Sequence, residues 1–194
     1  YIYAGNGQTL QIDSGVTLQG YGNLAGPWTG STIINAGTLN ANTSGQTFSI
    51  NSNIFTNSGT MNVSGGTLTI APTSWTNPGL LNVSSGTLNL GTFTVAALTA
   101  LSHFTRSGGS VNITGTLDNT GTSVDVGGTG LFGTGGLTGL YGTIKNGTVL
   151  STDASYTLAS SNGTLDGATL GGSTLTTSGN VFVRHGLTLA NGVT

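Results

Sequence analysis

A phrase of about twenty residues recurs along this chain, and no other feature restricts the fold so severely. "NSGTMNVSGGTLTIAPTSWT" runs from Asn57 to Thr76, and "NPGLLNVSSGTLNLGTFTVA" follows from Asn77. Each block opens on a turn-forming triplet: "NAG" at Asn35, "NSG" at Asn57, "NPG" at Asn77 and, in kind, "RSG" at Arg106. An apolar-x-apolar pair comes next: Leu39/Ala41, Met61/Val63, Leu81/Val83 and Val111/Ile113. A second phrase ("QTFSI", "GTLTI", "GTLNL", "GTLDN") centres on Phe48, Leu68, Leu88 and Leu117. A third apolar site falls at Phe55, Trp75 and Phe104. The alternation has period two, which is the pattern of strands and not of helices.

Three short strands per block, with Gly, Asn or Ser at the corners and a period of about 20–24 residues, predict a coil. One block cannot bury its own Leu, Val and Phe. Stacked about 4.8 Å apart, blocks pair strand on strand and their inward residues join into one core. The expected class is all-β, a right-handed parallel β-helix (β-solenoid) with three short strands per rung. The hand follows from the near-universal right-handedness of crossovers between parallel strands.

Residues 1–194 read as a single continuous solenoid. The Gly-rich "GTGLFGTGGLTGLYG" (residues 128–142) is taken as part of an irregular rung near 120–142, not as a linker between domains. The phrase resumes beyond it as "YGTIKNGTVL", "NGTLDGATL" and "HGLTLANGVT". With no starting Met and a final phrase cut short, the chain reads as a mature piece or fragment of a longer repeat protein.

Composition removes several functions. Charged residues make up 4% of the chain, with three basic and five acidic side chains for a net charge of −2. Nucleic-acid binding needs clustered Lys and Arg, and so does attraction to a membrane surface; neither partner is expected. No apolar run approaches the 18 or so residues of a membrane-spanning helix, so direct membrane insertion is not expected either. The absence of cysteine leaves the redox compartment open. A surface of Ser, Thr and Asn suggests export by analogy.

Catalysis finds little to work with. The five acids, Asp13, Asp118, Asp125, Asp153 and Asp166, are dispersed, and no D-x-D pair occurs. "LDNTGTSVDVGG" lacks the spacing of a calcium loop. His103 and His185 lie near Arg106 and Arg184, with no acid or Cys local to either in sequence. The expectation is a protein that is not an enzyme, with no catalytic residue, no metal site and no cofactor.

A solenoid converts spacing into columns. The residue before each second-phrase centre is Thr47, Thr67, Thr87, Thr116, Thr143 and Thr164, which predicts one threonine column with a structural, register-holding role. Its partner column then reads Ser49, Thr69, Asn89, Asp118, Lys145, Asp166. One Thr in that second column, and charges at its end, argue against an ice-binding face, which needs paired Thr-x-Thr. Asp118, Lys145 and Asp166 occupy equivalent places and are expected to stack as a −/+/− ladder. The Lys between them neutralises the carboxylates, favouring a structural role over a metal or acid/base pair.

Phe48, Phe55, Trp75 and Phe104 fall on the inward register and are expected in the core. Tyr1, Tyr3, Tyr21 and Trp28 cluster near the start, and two readings of them stand. They form a sugar-stacking patch, since flat rings suit pyranose faces, or they are the apolar cover of the first rungs.

The stretch "NGTLDGATLGGSTLTTSGNVFVRHGLTLANGVT" (residues 162–194) and the "NSGTMNVSGGTLTI" blocks resemble the repeats of large bacterial cell-surface and secreted β-helix proteins. Autotransporter passengers and filamentous-haemagglutinin-like adhesins are familiar members. The resemblance implies export to the cell surface or the medium, a long rod and, often, adhesion; it supplies no catalytic motif. The expected function is therefore a non-enzymatic structural or adhesive rod that self-associates end to end into fibres. Its partners are copies of itself or neighbouring repeats, and surface glycans. A carbohydrate-binding or carbohydrate-active β-helix module is the alternative.

Overall fold

The computed structural model describes residues 1–95, 103–172 and 175–191. Parallel strands wind into a β-solenoid of about nine turns, each turn contributing a short strand to each of three faces. The repeated phrases stack as their spacing demands over the first half. Met61 lies opposite Leu39 and Leu81, and Leu68 opposite Phe48 and Leu88. Phe55 lies opposite Trp75. All of these are buried, and each such side chain removed from water stabilises the coil by about 1.5–3 kcal/mol.

The opening triplet N-x-G has a physical cause at both its conserved-in-repeat positions. Asn35, Asn57 and Asn77 point into the core and form a ladder: Asn35 Nδ2 donates to Asn57 Oδ1 at 2.6 Å, and Asn57 Nδ2 to Asn77 Oδ1 at 2.6 Å. The ladder thus supplies acceptors for the Asn35 and Asn57 amides where no water reaches, and at its start Asn35 Oδ1 is left without a partner in the protein. Two residues on, Gly37, Gly59 and Gly79 stack at the corner. A Cβ on Gly59 would collide with the Gly37 carbonyl, and one on Gly79 with the Gly59 carbonyl. No side chain fits there.

One face is continuous. Its strands include Ile2–Tyr3, Gly22–Gly26, Thr47–Ser52, Ser110–Ile113 and Gly139–Leu140, joined through the long strands Thr60–Ile70, Leu80–Leu90, Thr157–Leu170 and Thr176–Leu189. The other two faces are interrupted at mid-length. Among the described residues, no ladder pairs Ser74–Thr76 with Phe93–Thr94, or Phe104–Arg106 with Ser123–Asp125.

That interruption corrects the expected alignment. Phe104 stacks on Leu81, not on Trp75, and it is half-buried at the margin of the core. Arg106 lies opposite Val83, outside the asparagine ladder. Val111 and Ile113 fall opposite Leu88 and Leu90, one strand later than their phrase suggested, and Leu117 falls opposite Phe93. The strands Phe93–Thr94 and Phe104–Arg106 complete the fifth turn. "GSVNI" then fills the place that "GTLNL" held one turn before.

The Gly-rich segment is folded against this seam. Phe132 and Leu137 are buried, and the Arg106 guanidinium binds the segment from below. Its Nη1 donates to the carbonyls of Phe132, at 3.3 Å, and Gly136. Its Nη2 donates to Gly109 O at 2.7 Å and to Thr138 Oγ1 at 3.0 Å. The Tyr156 hydroxyl donates to Leu137 O at 2.5 Å, and burial holds that phenol far above its usual range. The same burial lowers the Arg106 pKa from its usual value. A charged side chain surrounded by carbonyl oxygens does here what strand pairing does elsewhere.

Candidate functional site

Charge is sorted by face. Among the described residues, the segments paired on the continuous face (2–3, 22–26, 47–52, 67–70, 87–90, 110–113, 139–140, 157–161 and 176–180) contain no Asp, Lys, Arg or His. The charges of the long strands Thr157–Leu170 and Thr176–Leu189 stand where those strands have turned onto another face. The charged ladder stands on a second face: Asp118 lies opposite Lys145, Lys145 opposite Asp166, and Asp166 opposite Arg184. The alternation therefore runs −/+/−/+, one member longer than the sequence pattern indicates. Below Asp118 the position is Thr94.

Among the described residues, one contact within ion-pair distance occurs, His185 Nδ1 to Asp166 Oδ1 at 2.5 Å. Sequence placed no acid near His185; the turn of the coil brings Asp166 to it. His185 sits at positive φ (51°) in the corner after Arg184, which turns its ring back over the preceding rung. Asp118 is held by local bonds, its Oδ1 accepting from Thr120 N at 3.0 Å and Thr120 Oγ1 at 2.5 Å. Those bonds, with a smaller contribution from Lys145, hold its carboxyl below the ordinary aspartate range. Asp125 and Asp153 lie elsewhere, each closing its own turn: Asp125 accepts from Gly127 N and Thr152, and Asp153 from Ser155. Among the described residues, no three His or Asp side chains approach closely enough to hold a metal ion.

The expected threonine column divides in two. Thr47, Thr67 and Thr87 stack, and Ser110 follows them on the continuous face. Thr116, Thr143 and Thr164 stack on the charged face, followed by Phe182. The extra strands of the fifth turn shift the "GTL" phrase by one face, and this separates the sets. As a result, the partner column beside Thr47–Ser110 reads Asn23, Ser49, Thr69, Asn89, Asn112, with no charge in it. Its amides are linked, Asn112 Nδ2 donating to Asn89 Oδ1 at 3.0 Å. Among the described residues of this face, one paired Thr-x-Thr occurs, at Thr67/Thr69.

The four early aromatics are exposed. Tyr1 and Tyr3 are stacked, with ring centroids 5.9 Å apart and planes within 8°. Tyr3 meets Trp28 at 6.0 Å. Tyr21 stands between Gly20 and Gly22, both at positive φ (100° and 143°), and this turn throws its ring outward to 65% exposure. Between Tyr1 and Tyr21 runs a groove of about 380 Å³ whose walls include Leu18, Gln19 and Asn23. It opens into a second hollow of about 450 Å³, bounded by the same two tyrosines and by Thr47 and Ser49. Sequence reasoning missed Gln19, Asn23 and Ser49 as neighbours of the rings. Asn23 Oδ1 is buried and has no hydrogen-bond partner in the protein.

Compared with known proteins, the chain matches no family model, no curated sequence and no solved structure.

Proposed function

We propose that this chain is a segment of a non-enzymatic, extracellular structural rod, borne on a bacterial surface or secreted, with adhesion as its task. The observation that carries the reading is the continuous face of hydrogen-bonded parallel strands through all the turns, which makes the molecule stiff along its axis. The likeness of its repeats to those of autotransporter passengers and filamentous-haemagglutinin-like adhesins supports export and adhesion. The scatter of the carboxylates over separate turns supports a role without catalysis.

Length is extended by pairing at the ends. The strand Thr176–Leu189 pairs with Thr157–Leu170 on one side, and Val183 and Leu189 are exposed on it. Such an edge accepts another turn of the same kind, from a neighbouring repeat or a second copy, and the low charge offers little repulsion.

Electron microscopy across a dilution series, with light scattering alongside, tests this. Filaments of constant width that lengthen with concentration are expected. Short rods that stay monomeric at every concentration sink end-to-end association. A carbohydrate-binding module is the second reading, and the exposed aromatic groove favours it as a property of the rod's side.

A further inference from the structure

We infer that the continuous face is a binding track for a neutral polysaccharide, entered at the Tyr1–Tyr21 groove and lying along the axis of the coil. The inference deepens the adhesive reading by naming the ligand class, and it rests on the side of the rod and not on its ends.

Three independent features converge on this face. The first is the ring geometry. Tyr1 and Tyr21 offer exposed rings on the two sides of a groove of about 380 Å³, and a pyranose packs its C–H face on such a ring. The second is what lies beside the rings. Gln19 and Asn23 supply amides, and Thr47 and Ser49 supply hydroxyls at the groove's far end. Asn23 lines both hollows. Sugar hydroxyls both donate and accept, so mixed amides and hydroxyls suit them better than ions do.

The third feature is continuity. From the groove, the paired columns Thr47–Thr67–Thr87–Ser110 and Ser49–Thr69–Asn89 carry the same chemistry turn after turn, and Asn112 follows the second column as a buried residue. The polar groups repeat about every 4.8 Å along the axis, a regular ladder for a linear polymer of repeating hydroxyls. Among the described residues, charge is absent from the segments paired on this face and present on both others, where Arg106, Asp118, Asp125, Lys145 and Asp166 stand. An anionic polymer gains nothing here. A neutral one loses no ion hydration.

The experiment measures binding of the whole chain to laminarin, xylan and dextran, with polygalacturonate as the charged comparison. Retardation in affinity gels gives the affinity. Tryptophan emission reports on the aromatic cluster that reaches the groove at Tyr1, because exposed Trp28 meets Tyr3 and Tyr3 stacks on Tyr1, whereas Trp75 is buried. Binding to at least one neutral polymer, with a change in emission, is expected. Tyr21→Ala is expected to weaken it about tenfold, as loss of a central aromatic contact does. Thr69→Lys, a charge placed on the track, is expected to weaken it about threefold or more, and Ser74→Lys on another face to change it by less than about twofold. Circular dichroism of each variant confirms that the coil is intact. Failure to bind any neutral polymer overturns the proposal, as does equal or tighter binding of polygalacturonate. Binding that survives both Tyr21→Ala and Thr69→Lys also overturns it. Microscopy of the same samples reads the rod separately, so a rod without polysaccharide binding is told apart from a chain that is not a rod.

Discussion

Asn57 donates its side-chain amide to Asn77 one turn further along, at 2.6 Å, inside a core that excludes water. The same residue accepts from Asn35 on its other side at 2.6 Å, so it is the centre of a three-member internal ladder. A buried amide that loses its partner keeps its desolvation penalty.

Asn57→Ala therefore strands the Asn35 donor and the Asn77 acceptor together, and should cost about 3 kcal/mol of stability. Asn62→Ala is the comparison. It breaks the outward ladder, where Asn82 Nδ2 donates to Asn62 Oδ1 at 3.0 Å in reach of solvent, and should cost less than about 1 kcal/mol. Urea titrations of the two variants decide the matter, and equal losses would contradict the ladder's structural role.

Gly59→Ala should destabilise the coil by about 2–4 kcal/mol, because its new methyl group meets the Gly37 carbonyl and the Ala36 backbone, which cannot move aside without opening a turn. Gly5→Ala is expected to change stability by less than about 0.5 kcal/mol, since its Cβ would meet Gln8 Cγ at an ordinary 3.4 Å. Thermal melts of both proteins provide the check.

Arg106→Met removes the donors that four carbonyls share: Gly108, Gly109, Phe132 and Gly136. The consequence should be local, an opening of residues 127–138 favoured by about 2–3 kcal/mol, with the first turns unaffected. Arg106→Lys should restore it in part, since an ammonium cannot reach as many oxygens at once. Hydrogen exchange of amides in 127–138 reads this directly; unchanged protection in the Met variant refutes the clamp.

Asp118 makes a pH prediction. Its folded-state pKa is depressed, chiefly by the Thr120 hydroxyl and backbone amide. Its contribution to stability is thus fully present above the unfolded value, near 4, and is lost as pH falls through the lower folded value. Thr120→Val deletes the 2.5 Å hydroxyl bond and should move the Asp118 titration upward towards the ordinary range, while the 3.0 Å backbone bond keeps part of the shift. Carboxyl chemical shifts followed from pH 6 to pH 2 measure it.

How far the molecule was legible in its residues differs from one part to the next. The period of the "GTL" phrase, with its alternation of Leu, Val and Phe, was enough to define strands, turns and an inward face. Each is a local consequence of side-chain direction, and Leu68 or Val63 has no other way to reach a core. The stacking of Asp118, Lys145 and Asp166 was legible for the same reason, because equal phrases lie at equal points of the coil.

The fifth turn was not. "GSVNI" and "GTLDN" compete for one place, and either satisfies the alternation. The choice fell to Phe93, Phe104 and Arg106, whose strands complete the turn before Ser110 begins the next. That choice moved Thr116 off the column of Thr87 and left one face without charge among its described residues. Nor does any local pattern report that Tyr1 and Tyr21 frame a groove, or that Asp166 meets His185 across a turn. Sequence by itself determined that this chain coils and that the repeated Leu, Val and Phe positions of its blocks turn inward, since both follow from period and polarity within a block. Tertiary structure decided which residues share a face, because register between turns is a property of the whole stack and a single added strand shifts everything after it.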